Sequence, residues 1–258
     1  MKSLESKTLM DAIQFASRWG FLSRDIYFKY FCDKRRAMQY IYWKNITSSG
    51  YFVRSKVNDQ VCYLTTKGKK LLSEESNSAR FHVYIEHDTL VADLILMLQI
   101  QKKIVRYWTE AELKKSQLTA YSVLGGERVD RYPDAVIDVN ANGQIERYAI
   151  EIERKVKSRF RYNKMVLNYS YYKKLKGVLF GCDRLSTAKA IQNSFFDSQL
   201  AKSEFKIGTY HYSEFEEQGL HCKVQSQIGF EPIKRFLNCV DDFESEDQIR
   251  QPSNLNAS

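Results

Sequence analysis

The chain has 258 residues, of which 43% are hydrophobic, and it carries a formal net charge of +9. That hydrophobic share is enough for one large core or two ordinary ones, which excludes a chain that is disordered throughout. The five cysteines are widely spaced and include no Cys-x-x-Cys pair, so they favour neither a disulfide framework nor a zinc ribbon. No apolar run reaches the length of a membrane span. We therefore expect a cytoplasmic protein with no membrane partner, whose positive charge favours a nucleic acid.

Three helices are predicted at the start of the chain. Apolar residues recur at helical spacing from Leu4 to Trp19. Ser23 is a suitable N-cap for a short second helix that ends at Phe31. Asp33 is expected to cap a third helix, from Lys34 to Ile46.

A β-hairpin is predicted directly after the third helix. Its strands are the runs Tyr51 to Lys56 and Gln60 to Leu64. Three helices followed by such a wing define a winged helix, which we assign to residues 1–75. The run from Tyr63 to Leu72 resembles the end of the wing and the next helix in many bacterial winged-helix proteins. Such domains bind duplex DNA with the third helix in the major groove and the wing on the backbone.

The third helix and the wing hold the side chains expected to contact DNA. The packing face of the helix is expected to consist of Ala37, Met38, Ile41 and Tyr42. Since a fold does not determine a function, a protein-interaction module stays open as an alternative. The expected DNA-binding residues are Lys34, Arg35, Arg36, Gln39, Tyr40, Lys44, Arg54 and Lys56.

A second domain is predicted for residues 80–240. The polar, serine-rich stretch from Ser73 to Ala79 is interpreted as the connector before it, and the acidic residues 241–258 as a disordered tail. An apolar helix from Asp88 to Gln101 precedes the strands, and the pattern then indicates an α/β core with helices around a mixed sheet. The later elements are a helix from Phe160 to Lys174, a strand from Gly177 to Cys182, a helix from Thr187 to Ala201 and a strand from Phe205 to Tyr212.

The most informative segment is a predicted hairpin in the middle of the second domain. Asn142-Gly143 is a strong hairpin signal between a strand that begins near Asp134 and an alternating run that ends in Glu-x-Glu. Because side chains of a strand point alternately to opposite faces, Glu151, Glu153 and Lys155 are expected to share one face. The isoleucines between them are expected to face a core.

Three carboxylates and a lysine in this arrangement suit a metal-dependent nuclease. Hard divalent ions such as Mg²⁺ and Mn²⁺ bind carboxylate oxygens, here those of Asp134, Glu151 and Glu153, and acidify a bound water. Lys155 is placed to orient that water or to stabilise charge on the phosphate. A charged strand face is more often simply solvated, and that interpretation stays open.

The residues around these carboxylates resemble a known family. Pro-Asp on one strand and Glu-x-Glu on the next, after a helix, resemble the PD-(D/E)xK nuclease superfamily, which has a restriction-endonuclease-like α/β core. Over nearly the whole chain the pattern is similar to the replication-relaxation family, which includes the MobC-type relaxases of mobilisable plasmids. The residues that carry this similarity are Glu86 to Leu90, Trp108, Glu110, Arg131 to Ala135, Tyr148 to Arg154, Arg161, Tyr162 and Tyr169.

The resemblance implies a bacterial enzyme, α+β overall, that nicks one DNA strand at a plasmid transfer origin. It implies Mg²⁺ or Mn²⁺ as the cofactor. It also implies the duplex DNA of the transfer origin, other mobilisation proteins and a coupling ATPase as partners. Asp134 and Glu151 would bind the metal, Glu153 would be a third carboxylate and Lys155 the catalytic lysine.

One position departs from the superfamily pattern. The usual lysine position, two residues after the second acid, holds Glu153, so Lys155 or Lys157 is expected to serve instead. The residues expected to support the site are His87, Lys157, Arg161 and Lys164.

Two other functions stay open from the sequence. One is a DNA-binding replication or regulatory protein with an inactive nuclease fold. The other is an endonuclease of a mobile element that cuts both strands.

Overall fold

The computed structural model describes residues 3–72, 82–126 and 129–239. The predicted connector from Ser73 to Ala79 and the predicted acidic tail lie outside these ranges. No helix among the described residues is both long enough and apolar enough to cross a membrane.

The N-terminal unit has the predicted order of helices and a wing. Its three short strands form a small antiparallel sheet, in which the third strand lies between the first two. The Ser23 hydroxyl accepts a hydrogen bond from the N–H of Ile26 at 3.3 Å, so the predicted cap of the second helix is confirmed. The elements are α1 (Ser3–Trp19), β1 (Leu22–Ser23), α2 (Arg24–Ile26) continuing as a π-helical turn (Tyr27–Phe31), α3 (Arg36–Thr47), β2 (Phe52–Arg54), β3 (Val61–Leu64) and α4 (Thr66–Lys69).

Two details of α3 differ from the prediction. The helix begins at Arg36 with no side-chain cap, and Asp33 pairs with Lys34 instead of capping it. The predicted packing face was also wrong, because the side of the helix that carries Trp43 and Ile46 is the buried one. Three of the four residues expected to pack are therefore exposed, namely Ala37, Met38 and Ile41.

The larger unit is built around one seven-stranded mixed sheet. Its elements are α5 (His82–Ile100), β4 (Ile104–Thr109), α6 (Glu110–Lys115), α7 (Gln117–Leu124), β5 (Ala135–Ala141), β6 (Gln144–Glu153), α8 (Arg159–Ser170), β7 (Gly177–Cys182), α9 (Leu185–Phe195), β8 (Lys206–His211), α10 (Tyr212–Gln218), β9 (Lys223–Ser226), β10 (Gly229–Pro232) and α11 (Ile233–Phe236). The strand order is β10-β9-β8-β7-β6-β5-β4. Strands β4, β5 and β6 form an antiparallel meander, β6, β7 and β8 run parallel, and β9 is antiparallel to both β8 and β10. The predicted mixed α/β class is confirmed.

The predicted hairpin consists of β5 and β6. Asn142 and Gly143 have φ values of 52° and 84°, the left-handed conformations that a two-residue type I′ turn requires. The turn sets the register that places Ala135 opposite Ile150. It thereby brings the residue before β5 close to the end of β6.

The two faces of this hairpin contact different halves of the core. Ile137 and Ile150 belong to a hydrophobic cluster that also contains residues of α5 and of the N-terminal unit, including Ile13 and Trp19. The opposite face packs against α8 and α9 in a second cluster. The N-terminal unit and the sheet therefore share one core, although the sequence pattern predicts two domains.

Asp93 of α5 adds a polar connection between the two units. Its side chain is 4% exposed. It accepts hydrogen bonds from Tyr30, from Lys29 at 2.9 Å and from Tyr212 at 2.9 Å. One carboxylate thus joins the π-helical turn of the N-terminal unit, α5 and α10.

Candidate functional site

One stretch of the N-terminal unit carries a large excess of positive charge. Residues 34–72 hold nine lysines and arginines and one acidic residue, Asp59, whereas the rest of the chain holds 31 basic and 30 acidic residues. This stretch contains α3, the wing and α4. Its exposed face, which we name the winged-helix surface, includes Arg35, Arg36, Tyr40, Lys44 and Lys56.

The other three residues predicted to bind DNA contact the protein itself. Lys34 forms an ion pair with its neighbour at 3.4 Å, and Gln39 is half-buried. Arg54 donates to the hydroxyl of Thr47 at 3.0 and 3.2 Å. Since Arg54 lies in the wing and Thr47 in α3, these bonds hold the wing against the helix.

The hairpin of the larger unit brings the three predicted carboxylates together. Asp134 directly precedes β5, and its Oδ2 accepts a hydrogen bond from the N–H of Ile152 at 2.8 Å. Glu151 and Glu153 point to the face covered by α8 and are 0% and 3% exposed. The charged face is therefore buried and not solvated, which makes counter-charges necessary.

Arg131 supplies the main counter-charge to this carboxylate cluster, the group of Asp134, Glu151 and Glu153. Its guanidinium lies 2.9 Å from Glu151 and 3.8 Å from Glu153. Tyr169 of α8 donates its hydroxyl to Glu151 at 2.7 Å. Burial nevertheless outweighs the guanidinium and raises the pKa of Glu151 to about 7.

Lys157, and not Lys155, reaches the carboxylate cluster. The Lys157 ammonium pairs with Glu153, and this pairing opposes the effect of burial, which raises the pKa of Glu153. Lys155 is exposed because β6 ends at Glu153, so the strand alternation that placed Lys155 on the shared face does not continue that far. Arg161 and Lys164 are exposed on α8.

His87 holds the other side of the cluster. Its Nε2 lies 3.1 Å from Asp134 and 3.2 Å from the carbonyl of Ile152, and its Nδ1 lies 3.1 Å from Asp88. Burial lowers the pKa of His87, but the two aspartates outweigh burial and raise it to about 11. For Asp134, burial by itself raises the pKa, but the charge of His87 and the hydrogen bond from the Ile152 N–H outweigh burial and hold the pKa below its ordinary value.

The oxygen donors of the cluster have the right chemistry for Mg²⁺ or Mn²⁺, but their arrangement does not fit a bound divalent ion. Each carboxylate already faces a cation of the chain: Asp134 faces His87, Glu151 faces Arg131, and Glu153 faces Lys157. Within the described ranges, no group of three His, Cys, Asp or Glu side chains is placed to hold a metal ion. The cluster is instead neutralised by side-chain cations.

Two contributors to the cluster received no role from the sequence. Arg131 lies three residues before Asp134 in the motif, and Tyr169 lies 18 residues after Glu151. An arginine close to a Pro-Asp motif is a usable signal for a counter-charge. The tyrosine carries no such signal, because only the packing of α8 on the sheet brings it to Glu151.

Comparisons of this chain with protein-family models, with curated proteins and with solved structures find no match. The similarity to the replication-relaxation family therefore stays a hypothesis.

Proposed function

We propose that this protein binds duplex DNA through the winged-helix surface. The observation that carries the proposal is the concentration of charge, since residues 34–72 hold nine basic residues and one acidic residue. Basic side chains on one face of a helix and its wing match the phosphates on both sides of a major groove. Exposed Met38 and Ile41 lie on the same helix and offer apolar contact to base edges.

Charge reversal on α3 tests this proposal. We expect the variant R36E/K44E to bind a labelled 30-base-pair duplex at least about tenfold more weakly in fluorescence anisotropy, because phosphate contacts dominate the affinity. The slope of log affinity against log salt should also become shallower. The control K223E/R235E reverses two exposed cations on β9 and α11. An equal loss in both variants would mean that only the overall charge matters, and the proposal would be wrong.

A second candidate function is nicking of one DNA strand at a plasmid transfer origin. It is favoured by the meeting of Asp134, Glu151 and Glu153 at one end of the hairpin, with Lys157 on Glu153. The resemblance adds Mg²⁺ or Mn²⁺ to this proposal, with other mobilisation proteins and a coupling ATPase as partners. Because the cluster is already neutralised, DNA binding is the better supported of the two functions.

Supercoiled plasmid that carries the transfer origin tests the second candidate. If this candidate is correct, the wild type should give open circles in Mg²⁺ or Mn²⁺, and D134N should nick at least about a hundredfold more slowly, since the metal that these carboxylates would hold supplies several kcal/mol to the transition state. The control E217Q removes an exposed carboxylate on α10, outside the cluster. Linear product would favour a double-strand endonuclease. Intact binding with no cleavage in either metal would leave DNA binding alone.

A further inference from the structure

A second basic segment consists of α8 and the residues directly before and after it. Residues 154–176 contain nine lysines and arginines and no acidic residue. Outside this segment and residues 34–72, the chain holds 22 basic and 30 acidic residues. The protein thus carries two basic segments on an otherwise acidic body, and the winged helix accounts for only one of them.

Some of these cations have partners within the chain. Arg154 pairs with Glu86 and Asp183, Lys157 pairs with Glu153, and Lys174 donates to a backbone carbonyl. The other cations are exposed and form no ion pair with any residue that the structure describes. These are Lys155, Arg159, Arg161, Lys164, Lys173 and Lys176.

Three of these cations, Arg159, Arg161 and Lys164, lie on α8, and exposed apolar side chains lie beside them. The inner face buries Tyr162, Met165 and Tyr169 against the sheet. Phe160 is 78% exposed, and Leu167 and Tyr171 are about half exposed. Together with Lys164 they follow the spacing of one helix side, i, i+4, i+7 and i+11, over about 17 Å. We name Phe160, Arg161, Lys164, Leu167 and Tyr171 the α8 surface.

We propose that the α8 surface binds single-stranded nucleic acid, an inference that rests on the nucleic-acid partner proposed above. Cations that follow a backbone, interleaved with exposed aromatic rings on which bases stack, are the usual means of holding a single strand. A duplex keeps its bases stacked inside, so it would leave the ring of Phe160 without a partner. A second copy of the chain is disfavoured because two such faces repel each other.

The position of the surface connects it to the carboxylate cluster. α8 begins at Arg159, two residues after Lys157, whose ammonium contacts Glu153. A cleft of about 250 Å³ between α8 and α9 opens beside this start, and its lining consists of Arg159, Asn163, Val166, Asn193, Ser194, Asp197 and Ser198. A strand that follows α8 towards its N-terminus therefore ends next to Lys157, the cation paired with the buried Glu153.

Anisotropy with a fluorescein-labelled 15-nucleotide oligo-dT tests the proposal. We expect F160A to weaken binding about fivefold or more, since loss of one base-stacking ring typically has at least this effect. The control F230A removes a phenylalanine on β10 that is 71% exposed, and it should bind like the wild type. R161A/K164A should weaken oligo-dT binding at least about tenfold and flatten its salt dependence, whereas K223A/R235A should not.

The same variants separate this proposal from the binding of duplex DNA. R161A/K164A should keep the duplex affinity within about threefold. R36E/K44E should keep the oligo-dT affinity but bind the duplex weakly. Each variant removes phosphate contacts from only one of the two surfaces. Oligo-dT binding that is indifferent to F160A and to R161A/K164A overturns the α8 proposal alone. The proposal would also be wrong if F160A and R161A/K164A lost binding to phosphatidylserine vesicles while their oligo-dT binding stayed unchanged. All these positions are exposed, so unchanged melting temperatures establish that the variants are folded.

Discussion

Replacing Arg131 with methionine is expected to lower the free energy of unfolding by about 3–5 kcal/mol at pH 8, because Glu151 must then either stay charged without its buried partner or take up a proton. Glu151, at 0% exposure, would keep Tyr169 as a donor but lose its guanidinium. Urea unfolding at pH 8 measures the loss. The matched control is R154M, whose pairs with Glu86 and Asp183 lie at the surface and are expected to contribute less than about 1 kcal/mol.

The effect of R131M should depend on pH in a defined direction. The pKa of Glu151 is already about 7, above its ordinary value, and it rises further when the guanidinium is removed. A carboxyl with a raised pKa in the folded state takes up a proton on folding, so lowering the pH favours the folded state. The variant should therefore recover part of its loss between pH 8 and pH 5. The double variant R131M/E151Q should recover much of it at pH 8. A loss that is equal at both pH values would contradict the assignment of Arg131 as the counter-charge.

Replacing Asp93 with alanine is expected to cost about 2–5 kcal/mol, since a buried hydroxyl left without an acceptor costs about 1–3 kcal/mol and Asp93 serves several donors. Tyr212, 6% exposed, loses its only acceptor in the described part of the chain, and Tyr30 and Lys29 lose a carboxylate. D93N, which keeps one acceptor oxygen, should fall between alanine and the wild type. Urea unfolding gives all three values.

The position of Asp93 between the two units gives this variant a second readout. D93A should also expose the N-terminal unit to limited proteolysis before the sheet is cut, because the polar connection is lost while the sheet is intact. The control D25A removes an exposed aspartate from the same N-terminal unit and should change stability by less than about 1 kcal/mol. Equal stability of D93A and the wild type would show that the shared apolar core alone holds the units together.

Local signals predicted some elements well. The strand from Gly177 to Cys182 is found with both predicted ends, because a short apolar run flanked by polar residues has few alternatives. Asn142-Gly143 predicted the hairpin turn, since few other dipeptides adopt two left-handed conformations in succession.

Other elements depend on contacts that are distant in the sequence. The helix predicted to end at Lys174 ends at Ser170, because Tyr172 turns inward and donates its hydroxyl to the carbonyl of Arg131. The face of α3 is set by Trp43, which packs on Tyr27 at a ring distance of 5.7 Å. The sequence of β4 shows no alternation of apolar and polar residues that would predict a half-buried strand. Only its pairing with β5 in the sheet identifies it as a strand.

Local sequence signals predicted one part of the candidate site, and contacts distant in the sequence determine the other. The pattern around Asp134 and the Glu-x-Glu named the three carboxylates, because strand pairing and a turn of known geometry bring them together. Their burial and their counter-charges could not be predicted from it. Both depend on how α5 and α8 pack over the hairpin, which places His87 and Tyr169 against residues far away in the chain.

The burial of all five cysteines has a practical consequence for chemical labelling. A thiol must ionise to react, and burial raises the pKa of Cys182 and of Cys222 to about 12, and that of Cys62 further. The native thiols should therefore react slowly with maleimides. A cysteine introduced at Leu118, which is 79% exposed on α7, would take a dye selectively and report on either basic surface from a helix that belongs to neither.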